Sequence, residues 1–164
     1  MSDLFMTVES LDSKHREKFV PILRSCIDET KVDLEESIPH YLYNLGQNAG
    51  IMGFNIYGDP IAYVLYNKTQ NHPILLMHFW VHPRYRRQKV GARMLAHISR
   101  TEKPSLIMTI LNETLVTAQL FLRSLGFFCT QIIRSSEFTN DQYRFVANVY
   151  NPMNRLAVYN PQMF

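Results

Sequence analysis

Cysteine is nearly absent from this chain. Cys26 and Cys129 stand far apart, with no CxxC pair and no zinc-ligand spacing. That excludes a disulfide framework and points to two reduced, buried thiols in a cytoplasmic protein. Long apolar runs are missing as well. No stretch reaches transmembrane length, and the N-terminus lacks the pattern of a signal peptide, so no membrane partner is expected. Charge of one sign is scarce: 17 Lys and Arg oppose 14 Asp and Glu, a net +3 too small to argue for nucleic acid by itself. Repeats, low-complexity tracts and linkers are absent. Ser135, Ser136 and Asp141 have no His at an informative spacing, so a nucleophilic triad is not indicated. His78 and His82 share one face of a strand at i and i+4, but lack the further ligands that a metal needs.

What is present is enough apolar material for one domain: 46% hydrophobic residues in a 164-residue chain. The pattern is mixed α/β. Asp12 or Ser13 can cap a first helix whose apolar stripe is Phe19, Ile22, Leu23, Cys26 and Ile27. A shorter helix is expected from about Leu34 to Leu45, disturbed by Pro39 and ended by Gly46. Ile51–Tyr57 and Ile61–Asn67 read as strands joined at Gly58-Asp59-Pro60. Ile74–Val81 is almost wholly apolar, as in a central strand covered on both faces. A helix near Val90–Thr101, a strand Ser105–Leu111, a helix Leu115–Leu125 and strands near Phe128–Arg134 and Tyr143–Tyr150 follow.

The most informative stretch joins the central strand to the next helix. His82-Pro83 stops the strand. Arg84, Arg86, Arg87 and Lys89 crowd the connection, and Val90, Met94, Leu95 and Ile98 then open an amphipathic helix. A helix start offers unpaired N–H groups and the positive end of a dipole, which suits a phosphate. Gly91 would admit a ligand close to the main chain. Trp80 and Tyr85 interleave with the basic residues, so a nucleic-acid-binding module is a competing interpretation, although the charge is confined to one short loop.

Arg86-Arg87-Gln88-Lys89-Val90-Gly91 resembles the acyl-CoA-binding motif of the GNAT acyltransferase superfamily, with Lys89 where the first glycine of that motif usually lies. Ala118–Phe127, ending in Leu125-Gly126-Phe127, resembles the superfamily's later helix. Within the superfamily the nearest likeness is to ribosomal-protein-alanine N-acetyltransferase-like proteins. It is carried by Val64-Leu65-Tyr66, Phe79-Trp80-Val81-His82-Pro83, Ala118-Gln119-Leu120-Phe121 and Asp141-Gln142-Tyr143. The resemblance implies a single α+β domain over residues 1–150, followed by a tail, 151–164, of unassigned role. It implies a mostly antiparallel sheet of six or seven strands with one splayed parallel pair and about four helices. It also implies acetyl-CoA or another acyl-CoA as donor, held by Phe79, Val81, Arg86, Arg87, Gln88, Lys89, Val90, Gly91 and Ala92.

The acceptor implied is a primary amine, a protein N-terminus ahead of a small amine. Helices around Phe19–Glu29 and Leu34–Leu45 and the loop Ser135–Asn140 should wall its site. The oligomeric state is open, a dimer included. The resemblance breaks where protons must move: the usual acid falls on Leu122 and the usual base on Ile110, and neither side chain can carry one. Tyr143 and Glu113 are the replacement candidates, with His78 ranked behind them. The same departure supports an alternative, an acyl-CoA sensor or interaction protein that does not turn its ligand over.

Overall fold

The computed structural model describes residues 5–30, 48–68, 73–134 and 140–148. Their strands are β1 (Met6–Ser10), β2 (Asn48–Asn55), β3 (Pro60–Lys68), β4 (Pro73–Val81), β5 (Leu106–Asn112), β6 (Phe128–Ile133) and β7 (Gln142–Asn148). Their helices are α1 (Arg16–Thr30), α2 (Val90–Glu102) and α3 (Val116–Ser124). The expected helix Leu34–Leu45, residues 135–139 of the expected loop and the tail 151–164 lie outside the described residues. The strands form one seven-stranded sheet in the order β1-β2-β3-β4-β5-β7-β6. β4 and β5 run parallel, as a crossover through α2 requires. β1–β2, β2–β3, β5–β7 and β6–β7 are antiparallel. This is the expected α+β class. Among the described residues, no helix is long and apolar enough to cross a membrane.

The fold divides into two compact units. Among the described residues, the first holds β1, α1, β2, β3, β4 from His78 onward, and α2 as far as Met94. Its core is the α1 stripe Phe19, Ile22, Leu23 and Cys26, clustered with Met52, Phe54, Tyr63 and Trp80. Burying each Leu, Ile or Phe there contributes roughly 1.5–3 kcal/mol. Asp12 starts the turn before α1: its Oδ1 accepts from Lys14 N at 2.9 Å and its carbonyl from His15 N at 3.1 Å. β1 is a correction to the sequence analysis, which began the chain with a helix. Only Met6 and Val8 are half-buried in its five residues, too short a pattern to register as alternation. Pairing with β2, from Met6↔Asn55 to Ser10↔Ile51, makes it a strand.

The second unit holds β4 up to Met77, α2 from Leu95, and β5, α3, β6 and β7. Its parallel ladder runs from Pro73↔Leu106 to Leu76↔Thr109, and the Thr109 hydroxyl donates to Leu76 O at 3.2 Å. Ile107, Thr109, Phe145 and Ala147 are buried on one face of the β5–β7 pair. β4 is less enclosed than its sequence implies. Ile74, Leu76 and Trp80 are buried, whereas Met77 is exposed, so apolarity alone overstates two-sided cover.

A similar correction applies to α3. The helix expected from Leu115 starts at Val116; Leu115 sits exposed at the N-cap, and Leu122 is the buried residue within the helix. The helix stops as its sequence requires. Gly126 has φ 91°, its N–H donates to Arg123 O, and Phe127 N–H donates to Leu122 O, both at 3.0 Å. That is a Schellman ending, in which a glycine takes the left-handed position.

Candidate functional site

The loop from His82 to Lys89 is built against its own residues' preferences. His82 caps the short turn Pro83–Tyr85, its Nδ1 accepting from Arg84 N at 3.2 Å. The Arg86 backbone N–H closes that turn on Pro83 O at 3.2 Å, while its Nε donates to Val81 O at 2.9 Å. Gln88 Nε2 donates back to Arg84 O at 2.9 Å. Arg87 and Lys89 then take φ values of 59° and 63°, the left-handed region that disfavours any residue with a Cβ. Lys89 thus adopts the backbone conformation that a glycine at its position would take freely.

The loop leads directly into the start of α2. The helical ladder of α2 begins with Arg93 N donating to Lys89 O at 3.0 Å. The N–H groups of Val90, Gly91 and Ala92 are therefore the first-turn donors that have no i−4 partner. Left-handed residues in a turn can aim successive N–H groups at one point, a geometry that suits anions. The dipole of the 13-residue α2 adds positive potential at the same end. Arg84, Arg86, Arg87 and Gln88 are exposed around it, and Lys89 is half-buried. Val90, Gly91 and Ala92 are themselves buried.

Trp80 lies just before the loop and is only 5% exposed. Its ring meets His82 edge-on at 5.7 Å, and His82 meets Tyr85 at 5.8 Å. A buried indole offers no stacking face to a nucleobase, which removes half the basis for the nucleic-acid interpretation.

His78, on β4 in the same unit, stacks on Tyr63 with ring centroids 5.3 Å apart, and its Nε2 lies 4.0 Å from Cys26 Sγ. Burial holds its imidazole below the usual histidine range, so it is neutral near pH 7. Among the described residues, its Nδ1 is buried without a hydrogen-bond partner, and the Tyr63 hydroxyl interacts with the Cys26 thiol. Burial likewise pushes the Tyr63 phenol well above the ordinary tyrosine range.

The second unit brings Tyr143 and Glu113 to one end of the β5–β7 ladder. Glu113 N donates to Asp141 O at 2.9 Å, and Asp141 N donates to Glu113 Oε1 at 3.2 Å. Glu113 is thereby tied into the closure of the ladder. Tyr143 pairs with Leu111, and Ile110 pairs with Arg144. Directly paired residues share a face, so Tyr143 projects from the face opposite Ile110. Leu122 is 3% exposed, a core position and not a proton donor. Among the described residues there is no group of three His, Cys, Asp or Glu side chains that could hold a metal ion.

Sequence reasoning missed Asn55, a buried polar residue at the end of β2 that organises the β2–β3 turn. The only signal was its position just ahead of Gly58-Asp59-Pro60, which reads as a turn and nothing more.

Residues 42–128, just over half the chain, match the GNAT acetyltransferase domain family. No curated protein matches the sequence. Solved structures of similar fold include the ribosomal-protein-S18-alanine N-acetyltransferase from Escherichia coli. It is 18% identical with a TM-score of 0.67, over 88% of this chain and 94% of that one. NAA60 of Arabidopsis thaliana, solved with a bisubstrate analogue, is 11% identical with a TM-score of 0.68, over 88% and 98%. A protein from Bacillus anthracis assigned as a streptothricin acetyltransferase, solved with acetyl coenzyme A, is 16% identical with a TM-score of 0.56, over 62% of each chain. At these identities the likenesses establish the fold.

Proposed function

This chain belongs to the GNAT acetyltransferase family, and from that premise we propose that it transfers an acetyl group from acetyl-CoA to a primary amine. The observation that carries the proposal is the cradle at the start of α2: left-handed Arg87 and Lys89, then the unpaired N–H groups of Val90, Gly91 and Ala92. We assign the donor's pyrophosphate to the N–H groups of Lys89 to Ala92, with Arg86, Arg87 and Gln88 alongside. The pantetheine arm is assigned to the end of β4 at Phe79 and Val81, where β4 continues past its last parallel pair, Leu76↔Thr109. Another acyl-CoA would use the same main-chain contacts.

Bound acetyl-CoA supplies an activated thioester. The amine nitrogen forms the new C–N bond, the C–S bond breaks, the amine loses a proton and the thiolate gains one. We assign the thiolate's proton to Tyr143. Glu113, held by Asp141 N, would receive the amine's proton through water. A protein N-terminus is the preferred acceptor, a small amine the second. The E. coli structure supports that order by its name as a ribosomal-protein-alanine N-acetyltransferase. One buried and one exposed free cysteine suit a reducing cytoplasm.

Titration with acetyl-CoA tests the donor site. Gly91→Ile should weaken binding at least tenfold, with Gly91→Ala as a control for folding. Binding by Gly91→Ile as tight as the parent's would refute the placement. Replacing Tyr143 by Phe or Glu113 by Gln should lower kcat roughly a hundredfold with donor affinity kept. Unchanged rates in both variants would remove these assignments. The acyl-CoA sensor is retained as a second reading because Leu122 and Ile110 occupy the family's usual acid and base positions.

A further inference from the structure

The donor loop holds two residues, Arg87 and Lys89, in the left-handed conformation that a side chain with a Cβ disfavours. Such residues persist only where the surroundings fix them. The hairpin turn between β2 and β3, in the same unit, supplies a fixture. Asn55 is 7% exposed, and its amide is used to capacity. Oδ1 accepts from Tyr57 N and Asp59 N, both at 2.9 Å. Nδ2 donates to Asp59 Oδ2 and to the Tyr85 hydroxyl, both at 3.2 Å. The Asn55 main chain closes the turn as well: its N–H donates to Asp59 O and its carbonyl accepts from Gly58 N, both at 3.0 Å. Gly58, at φ 79°, supplies the left-handed residue that the turn needs. The turn is thus rigid before it touches the loop.

We infer that Asn55 is a positioning residue for the donor loop, acting through Tyr85. The bond it donates lands on the last residue of the Pro83–Tyr85 turn, two residues before Arg87. A second tie comes from the same hairpin: His82 N donates to Ile61 O at 2.9 Å. The loop is therefore held to the β2–β3 hairpin at its first residue and at Tyr85, leaving Arg86 to Lys89 to lead into the N–H groups of Val90, Gly91 and Ala92. Asn55 suits this role because a side-chain amide donates and accepts at once. An Asp there would keep the acceptor for Tyr57 and Asp59 N–H. It would accept from the Tyr85 hydroxyl instead of donating to it, and would place its charge beside Asp59. The inference rests on assigning the cradle to the acyl donor, so its test needs one readout that involves no donor.

That readout is tryptic cleavage after Arg86, Arg87 and Lys89 in the folded protein, compared with acetyl-CoA affinity and with steady-state constants. Tyr85→Phe removes one hydroxyl and leaves the ring against His82. It should be cleaved at these sites about five- to tenfold faster, and acetyl-CoA should bind five- to tenfold more weakly. KM for the donor should rise by the same factor while kcat stays within twofold. Asn55→Ala should do the same, and Tyr85→Phe should add little to it, since both remove the Asn55–Tyr85 bond. Should the Asn55 variant fail to fold, Tyr85→Phe alone decides. Unchanged cleavage and unchanged affinity in Tyr85→Phe overturn the inference. Faster cleavage with unchanged affinity leaves the tie standing and overturns the assignment of the loop to the donor.

Discussion

Two residues show what the local backbone costs and what it provides. Lys89 sits at φ 63° with a full side chain. Lys89→Gly should stabilise the protein by about 1 kcal/mol, the left-handed penalty less the entropy that glycine adds to the unfolded chain. Urea unfolding measures it, and a loss of stability would show that the Lys89 side chain makes a larger contribution of its own. His78 gives a pH dependence. Its folded-state pKa lies below the ordinary value near 6.5 because burial disfavours the imidazolium. Below about pH 6.5 the unfolded chain takes up a proton that the folded chain refuses, so stability falls with acidification and is flat for this group above that pH. The slope is at most about 1.4 kcal/mol per pH unit. His78→Phe, which keeps a ring on Tyr63, should lose less stability between pH 7.5 and 5.5 than the parent. An equal loss in both would assign the acid sensitivity elsewhere.

Two helix ends make opposite choices at the left-handed position. α3 ends on Gly126 at φ 91°, whereas α2 is followed by Lys103 at φ 46°, just before Pro104. Gly126→Ala should cost about 1–2 kcal/mol, and Lys103→Gly should gain up to about 1 kcal/mol. Thermal unfolding of the two variants checks both signs. These ends were legible because Gly126 and Lys103-Pro104 are local signals that need no tertiary context. The stripe Val90, Met94, Leu95 and Ile98 was legible for the same reason, and all four side chains are buried. β1 was not, because its strand character comes from pairing with β2. Nor were Asn55 and the left-handed Arg87 and Lys89. Their roles depend on hydrogen bonds and dihedrals that residue identity does not encode. The exposure of Met77 and Leu115 follows from which faces are covered, also a tertiary matter.

At the scale of the whole molecule, the proposed phosphate site lies in one unit and the proposed proton-handling residues in the other. A ligand that binds only the folded state stabilises it by RT ln(1 + [L]/Kd). Acetyl-CoA at a hundred times its Kd should therefore add about 2.7 kcal/mol. For a chain of this size that raises Tm by roughly 5–10 °C. Dephosphorylated and pyrophosphate-free analogues should give progressively less. The central claim is transfer, and mass spectrometry of a panel of N-terminal peptides and small amines incubated with the protein and acetyl-CoA tests it most directly. The account predicts one acetyl group added at a primary amine, released CoA in equal amount, and loss of both in Gly91→Ile. Binding of acetyl-CoA with no acetylated product across the panel would contradict it and leave the acyl-CoA sensor in its place.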